Sequence, residues 1–129
     1  MLTQLLGEFP KRSTTAMNRR VYRLDYGAIG VTFERETLVI REVQVGSPAE
    51  QAGLQPGDTI VKVNDTSLPA RFTMNWKDLA KKLQPWFAAV AEAKGKSPVK
   101  LTVKRPGVKG NLPVTVTPVL VTTYVTYDN

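Results

Sequence analysis

The sequence predicts a mainly β domain with two helices, one short and one longer. Runs rich in β-branched residues recur along the chain, at residues 31–34, 37–45, 59–64, 99–104 and 114–121. Helix-start signals precede only two stretches, at residues 48–52 and 76–83. The length of 129 residues suits one domain of this kind with some spare chain.

The first third of the chain contains an arm and a predicted hairpin. Residues 1–20 lack sustained periodicity and are predicted to form a flexible or loosely docked arm. A short strand is predicted at residues 21–26, before a glycine-punctuated turn at residues 27–30. The next two strand runs are joined by the polar residues 34–36, so we expect them to pair as a hairpin.

The short helix has clear signals at both ends. Ser47 is a good N-cap, Pro48 suits the first helical position and Glu50 the third. Gly53 should end the helix at its C-terminal side. Farther on, Asp58 is expected to satisfy turn amides rather than to act as a catalytic base.

The longer helix is predicted from amphipathic spacing. Thr73 or Asn75 can cap it. Apolar residues then follow the i, i+3, i+4, i+7 pattern, at Trp76, Leu79, Ala80 and Leu83. Pro85 should break or kink this helix, and residues 86–93 can restart a helical turn or two. The strand runs at residues 99–104 and 114–121 then form a closing hairpin.

The absence of Cys and His excludes most catalytic chemistry. The chain has no thiol nucleophile, no Cys-type zinc site and no His for a Ser-His-Asp triad. We therefore predict a binding module without catalytic residues, metal or cofactor. No stretch approaches the roughly 20 apolar residues needed to span a bilayer, and the N-terminus lacks the features of a secretory signal.

The net charge of +7 is unevenly distributed. Residues 94–109 carry six Lys or Arg side chains and no acid. Such a patch can bind nucleic acid or an anionic membrane, but a solvated strand and turn is the favoured interpretation. Nucleic-acid binding ranks last because no basic motif with interleaved aromatics is present.

One segment has a specific family resemblance. Residues 46–64 read GSPAEQAGLQPGDTIVKVN, which closely resembles the strand–short helix–strand centre of PDZ domains. The closing hairpin resembles that of bacterial PDZ domains in HtrA-type serine proteases and site-2 metalloproteases. The resemblance covers roughly residues 22–121. It implies a partly open β-barrel or sandwich of five to six strands, with one short and one longer helix.

The resemblance also implies a carboxylate-binding loop of pattern X-Φ-G-Φ, matched here by Ala28, Ile29, Gly30 and Val31. In such a loop, successive backbone N–H groups converge on one carboxylate. Gly30 allows a close backbone approach that a Cβ would block. Ile29 and Val31 would line an apolar pocket for the last ligand side chain. The alternative is that Gly27 and Gly30 only make a tight turn.

The rest of the implied groove comes from one strand and one helix. The ligand would add as a strand beside Val31, Thr32 and Phe33. The opposite wall would present Trp76, Ala80 and Leu83. Many animal PDZ domains have a His where this chain has Trp76, so no preference for a ligand hydroxyl is expected. Alternatively, Trp76 packs as ordinary core or as a lid.

Two arginines precede the loop, and Arg23, or Arg20, could assist the carboxylate electrostatically. Three parts of the chain have no assigned counterpart in the family, namely the 1–20 arm, the lengthened helix region at 83–96 and a tail at 122–129. Either terminal part could fold over the groove.

These observations predict a module that captures a hydrophobic C-terminal peptide or an extended protein segment by β-augmentation. It would be a regulatory or substrate-recognition domain of a larger, protease-like protein, whose catalytic domain would lie outside these residues. Membrane association is expected only through that parent protein, and an extracytoplasmic location only if the parent is an envelope protease. The alternatives are an assembly domain with a self-occupied groove or, less favoured, an anion-binding protein.

Overall fold

A computed structural model describes residues 6–7, 20–93, 95 and 97–127, except for the side chains of residues 20–22 and 124–127. In chain order the elements are β1 (Arg20–Ala28), β2 (Val31–Phe33), β3 (Ile40–Val43), α1 (Pro48–Ala52), β4 (Thr59–Val63), β5 (Thr66–Ser67), α2 (Trp76–Lys82), α3 (Gln84–Trp86), a π-helical turn (Phe87–Ala91), β6 (Val99–Lys104), β7 (Asn111–Val116) and β8 (Val119–Tyr127). The predicted mainly β fold is confirmed.

The strands form three antiparallel groups. The largest sheet has the order β5-β4-β6-β7, while β2 pairs with β3 and β1 pairs with β8. Backbone hydrogen bonds join the second group to the sheet, from Ile40 N to the Asp58 carbonyl at 2.8 Å and from Ile60 N to the Leu38 carbonyl at 3.0 Å. Both predicted hairpins are present, since β2 pairs with β3 and β6 pairs with β7, each in antiparallel register.

The caps of α1 match the prediction. The Ser47 hydroxyl accepts a hydrogen bond from Glu50 N at 3.2 Å, and Glu50 Oε1 accepts one from Gly46 N at 3.0 Å. Gly53 ends the helix with φ of +88°, a left-handed conformation that costs glycine little. These interactions fix the first turn of α1, and the Ala49 amide of that turn donates to the Ile29 carbonyl in the loop that follows β1.

The longer helix is interrupted where Pro85 predicts. Asn75, rather than Thr73, is the N-cap of α2, and its side chain accepts from Lys77 N at 3.0 Å. Thr73 instead donates from its backbone N to Asp78 at 2.7 Å. The helix ends at Lys82, and α3 and the π-helical turn follow as separate pieces. No helix within the described ranges is long and apolar enough to cross a bilayer.

The core lies between the large sheet and the helical side of the domain. The helical segment contributes one buried stripe, formed by Leu79, Leu83, Trp86 and Val90. The sheets contribute mainly branched side chains, among them Val31, Leu38, Ile40, Ile60, Val63, Leu101 and Val103. Leu6 belongs to this same cluster, although it is far from the rest in sequence.

Four expectations about element boundaries need correction. Among the described residues there are eight strands rather than five or six, since β5 and a separate β8 add to the count. The run at 37–45 is a strand only from Ile40 to Val43. The run at 114–121 is divided at residues 117–118, where Pro118 has no N–H to continue a ladder. Finally, β1 extends to Ala28 because β8 pairs with its whole length.

Residues 122–127, which the family resemblance leaves unassigned, form the second half of β8. The partner strand begins at Arg20, so β1 and β8 build a ribbon of nine residue pairs. The loop at residues 29–30 follows directly after β1, at the end of this ribbon. Most of the predicted arm, residues 1–5 and 8–19, lies outside the described residues.

Candidate functional site: a carbonyl-binding loop

The loop between β1 and β2 is shaped by two hydrogen bonds to its carbonyl groups. Ala49 N in α1 donates to the Ile29 carbonyl at 2.9 Å, and Gln44 N after β3 donates to the Gly30 carbonyl at 2.9 Å. In a trans peptide the C=O and the following N–H point in opposite directions. The Gly30 amide is therefore directed away from α1, and the Val31 amide away from β3.

Gly30 makes this loop possible through its backbone conformation. Its φ is +84°, in the region that L side chains rarely adopt. The residues from Ala28 to Val31 are all buried, so their amides lie in a desolvated setting. Backbone amides presented in this way form a concave site for an oxygen ligand. The turn geometry is therefore compatible with the predicted binding loop, whose role in ligand binding stays a prediction.

An oxygen ligand from the chain itself occupies the loop. The Gly7 carbonyl accepts a hydrogen bond from Gly30 N at 3.1 Å and another from Ile29 N at 3.3 Å. Two successive amides therefore converge on one main-chain oxygen, while the binding of a carboxylate at this place stays a prediction. Within the arm, it is the described pair Leu6 and Gly7 that lies against the loop.

Trp86 completes this site and was not predicted. Its indole Nε1 donates to the Leu6 carbonyl at 3.1 Å, and its side chain is fully buried. The ring also meets Phe33 of β2 edge-on, with 6.1 Å between ring centroids. A signal was present in the sequence, because the spacing Leu79, Leu83, Trp86 continues the apolar stripe past Pro85.

One edge of β2 faces away from its partner strand. Val31 and Thr32 align with Val43 and Glu42 of β3, and the Glu34 amide donates to the Val39 carbonyl at 2.8 Å. Successive residues of a strand direct their backbone groups to opposite edges. The backbone groups of Val31 therefore point away from β3, and within the described residues no strand pairs with that edge.

The three helix residues predicted for the opposite wall have different surroundings. Leu83 is fully buried in the core. Trp76 is 49% exposed and stacks on Phe87, with 6.1 Å between centroids and 27° between planes. Together with the half-buried Ala80, these two aromatic rings line a shallow depression of about 200 Å³. The role of this wall in ligand contact stays a prediction.

Arg23 is engaged on the β1–β8 ribbon. Its Nε donates to Asp25 Oδ1 at 3.0 Å, and the same oxygen accepts from the Thr122 hydroxyl at 2.6 Å. The side chain of Arg20 lies outside the described part of the chain. An electrostatic role of either arginine at the loop stays a prediction.

The fold and the loop define a class of protein, a domain with an oxygen-binding backbone loop beside an available strand edge. A sequence profile of the PDZ domain family matches residues 39–105, slightly more than half of the chain. The chain belongs to the PDZ domain family. PDZ domains are binding modules rather than catalysts, which agrees with the absence of Cys and His.

Solved structures support the same assignment. The chain is similar to the HtrA3 PDZ domain bound to a phage-derived ligand (FGRWV), with 25% identity, a TM-score of 0.52, and coverage of 78% of this chain and 92% of that one. It also resembles the HtrA-type protease AlgW with a decapeptide, with 20% identity, a TM-score of 0.52, and coverage of 74% of this chain and 29% of that one. The predicted resemblance to HtrA-type PDZ domains is confirmed.

Two further proteins are similar to this chain. A PDZ domain protein from Parabacteroides distasonis has 16% identity and a TM-score of 0.60, with coverage of 82% of this chain and 34% of that one. The PDZ and LIM domain protein Zasp from Drosophila melanogaster is 45% identical over 49 residues, or 38% of this chain. The chain spans about 2% of the length of this curated relative.

Proposed function

We propose that this domain binds a peptide in the groove between β2 and α2, with the terminal carboxylate of the peptide at the loop amides. The observation that carries this proposal is the convergence of Ile29 N and Gly30 N on one main-chain oxygen, that of Gly7. A carboxylate is a stronger acceptor than a neutral carbonyl, because its hydrogen bonds are charge-assisted. A free C-terminus is therefore the preferred ligand.

The surroundings of the loop favour an apolar side chain on the last ligand residue. A Cβ built on Gly7 would lie 3.5 Å from Ile29 Cγ1 and 3.7 Å from Trp86 Cζ2, which is ordinary van der Waals contact. The φ of Gly7 is +109°, which L residues rarely adopt, so a ligand residue would not share this Cβ direction, but its side chain would still lie beside the same aliphatic group and indole ring. Val, Ile, Leu or Phe would bury apolar surface there.

The edge of β2 supplies the main-chain part of the interaction. An extended peptide can pair with the backbone groups that Val31 directs away from β3, as in β-augmentation. Since backbone pairing is independent of sequence, the loop and the last side chain would provide most of the selectivity. An extended internal segment could use the same edge.

A place within a larger protein is the second part of the proposal. HtrA3 and AlgW, the HtrA-type proteins that the chain resembles, were solved with peptide ligands, which supports a peptide-recognition role. We infer that the domain regulates, or selects substrates for, a protease-like protein whose catalytic residues lie outside these 129 residues. Association with a membrane would then come only through the parent.

The second candidate function is an assembly domain whose groove is filled by its own chain. The contact of Gly7 with the loop favours it, because the predicted carboxylate site already has an occupant. The two candidates differ in whether a free peptide can reach the loop. Nucleic-acid binding has no comparable structural support.

A pair of peptides tests the principal proposal. Fluorescein-labelled FGRWV, the ligand sequence of the similar HtrA3 domain, would be titrated with the chain as its free acid and as its C-terminal amide. We expect the free acid to bind at least tenfold more tightly. Equal affinities would contradict the carboxylate site, and no binding of either form would favour the self-occupied assembly domain.

A further inference from the structure

We propose that Leu6–Gly7 is a resident occupant of the site formed by the loop amides and the Trp86 indole, and that a C-terminal peptide must displace it. The site therefore also binds an internal main-chain segment, and the Trp86 indole selects such segments. The inference rests on the proposed function, because the displaced site is the proposed peptide site. It begins from the fact that Gly7 is not a chain terminus, and yet its carbonyl occupies the loop amides.

Two consecutive carbonyl groups are recognised by different parts of the fold. The Leu6 carbonyl is bound by the Trp86 indole at 3.1 Å. The next carbonyl, that of Gly7, is bound by the loop amides of Ile29 and Gly30 at 3.3 and 3.1 Å. The α3 segment and the β1–β2 loop therefore act together on one stretch of main chain, and neither contact requires a terminal carboxylate.

The burial of Trp86 makes its donor selective. The side chain has no exposed surface, so its Nε1–H requires a hydrogen-bond acceptor within the site. A buried donor without an acceptor costs more than the hydrogen bond itself contributes. Any occupant that replaces Leu6 must therefore present an acceptor at the same point, and a main-chain carbonyl preceding the loop-bound oxygen does so.

The Leu6 side chain shows which residue the site prefers at this position. It is only 5% exposed and belongs to the main core cluster with Ile29, Val31 and Trp86. A resident segment anchored by one buried Leu and three hydrogen bonds would compete with an added peptide. Because only molecules with the segment undocked can bind the peptide, the apparent affinity of the peptide falls in proportion to the undocked fraction.

The first test removes the anchor of the resident segment in the full chain. Leu6→Asp places a charge at the buried position, and Leu6→Ala gives a milder version. Val108→Asp introduces the same charge at an exposed site in the β6–β7 turn and serves as the matched control. We expect Leu6→Asp to bind FGRWV free acid at least tenfold more tightly than the unchanged chain, Leu6→Ala to lie between them, and Val108→Asp to have no effect.

Hydrogen exchange of the indole gives a readout that does not depend on a peptide. The chain has two tryptophans, so Trp76→Phe assigns their two indole signals. In Leu6→Asp, we expect the Trp86 Nε1 proton and the Gly30 amide proton to exchange at least tenfold faster than in the unchanged chain. Unchanged exchange would overturn the proposal, whatever the peptide does.

The second test supplies the segment in trans. A peptide with the sequence of residues 3–10, TQLLGEFP, acetylated and amidated, would be added to the Leu6→Asp chain. We expect it to bind this chain, and a peptide with Asp in place of its second Leu to bind at least tenfold less tightly. Adding Trp86→Phe to the chain should weaken the first peptide roughly three- to tenfold, as expected for one lost hydrogen bond.

The outcomes separate this inference from the proposed function. If FGRWV binds the unchanged and Leu6→Asp chains equally, the resident segment does not compete and the inference fails, while the proposed function stands. If exchange is faster in Leu6→Asp and TQLLGEFP binds it, but FGRWV binds neither chain, the inference stands and the C-terminal peptide function fails. Absence of TQLLGEFP binding overturns internal-segment recognition.

Discussion

The Asp58 carboxylate is fully buried and is held by the guanidinium group of Arg105 through two hydrogen bonds of 2.9 Å. The Nη2 that binds Asp58 also donates to the carbonyl of Gly53, the residue that ends α1, at 2.9 Å. Asp58 Oδ2 in turn accepts from Gln55 N at 3.0 Å, which confirms the turn role expected from the sequence. This ion pair thus fastens the turn after α1 to the end of β6.

We expect Asp58→Asn to lower the free energy of unfolding by about 3 kcal/mol at neutral pH, because breaking a buried ion pair leaves a charge without its partner. The matched control is Asp65→Asn, since the Asp65 side chain is 88% exposed and lies 3.8 Å from Lys100. Urea denaturation should show a change within about 0.5 kcal/mol for the control. A similar loss in both variants would contradict a specific role of Asp58.

The same ion pair predicts how stability depends on pH. Burial alone would raise the pKa of Asp58, but the hydrogen bonds from Arg105 and the Gln55 amide, and the positive charge of Arg105, together lower it below its ordinary value. The stabilisation is therefore complete above the ordinary pKa of an aspartate and is lost as pH falls through the lowered folded-state pKa. The difference in stability between the unchanged chain and Asp58→Asn should shrink across that acidic window. A difference independent of pH would contradict the expectation.

Ser47→Ala should cost about 1 kcal/mol, because the buried Ser47 hydroxyl accepts the Glu50 amide hydrogen bond at the start of α1. The same turn supplies the Ala49 amide that holds the Ile29 carbonyl, so affinity for FGRWV should also fall. Ser67→Ala, in the exposed β5, is the control. Thermal unfolding and anisotropy titration check both effects, and an unaltered affinity would show that α1 does not orient the loop.

Gly27→Ala should be severely destabilising, by about 3 kcal/mol or more, because its Cβ would collide with the Val90 carbonyl. The obstacle is a backbone group, so no rotation of a side chain relieves it. Gly107→Ala has a φ of +79° but nothing within 4 Å of the new Cβ, so it isolates the conformational cost of roughly 1–2 kcal/mol. Equal losses in the two variants would show that β1 and the π-helical turn separate easily.

Trp76→Ala tests the wall of the groove that α2 is predicted to form. If the indole contacts the ligand, the affinity for FGRWV should fall at least fivefold, whereas Trp76→Phe should retain stacking on Phe87 and most of the affinity. Urea denaturation of both variants separates stability from binding. A loss of stability without a loss of affinity would identify Trp76 as a packing residue only.

Local signals predicted the centre of the fold well. The Ser47 cap, the Gly53 stop and the break at Pro85 depend on interactions within a few residues, and all three were found where the sequence places them. The extent of β1 and β8 was not predictable in this way. Their ladder joins Arg20 to Tyr127 and Ala28 to Val119, so each strand is defined by a partner about 100 residues away.

In the site, too, local features were predictable from the sequence and long-range contacts were not. The loop from Ala28 to Val31 was predicted from its motif and its distance from Ser47. The contact of Trp86 with this site was not predicted, because a break or kink at Pro85 leaves the direction of the following residues open. In the structure the buried stripe continues as Leu79, Leu83, Trp86 and Val90. The interruption changes the helix type without turning the stripe away from the core.

The sequence by itself determined the PDZ family, the glycine turn that carries the predicted binding loop and the absence of His- or Cys-based catalysis, since each depends on residue types or on short spacings between them. Only the tertiary structure decided what lies against the loop. Leu6 and Gly7 are more than twenty residues from Ile29 and about eighty from Trp86. No local pattern encodes that contact, because it arises when the core closes around one leucine and two buried donor sites require an oxygen.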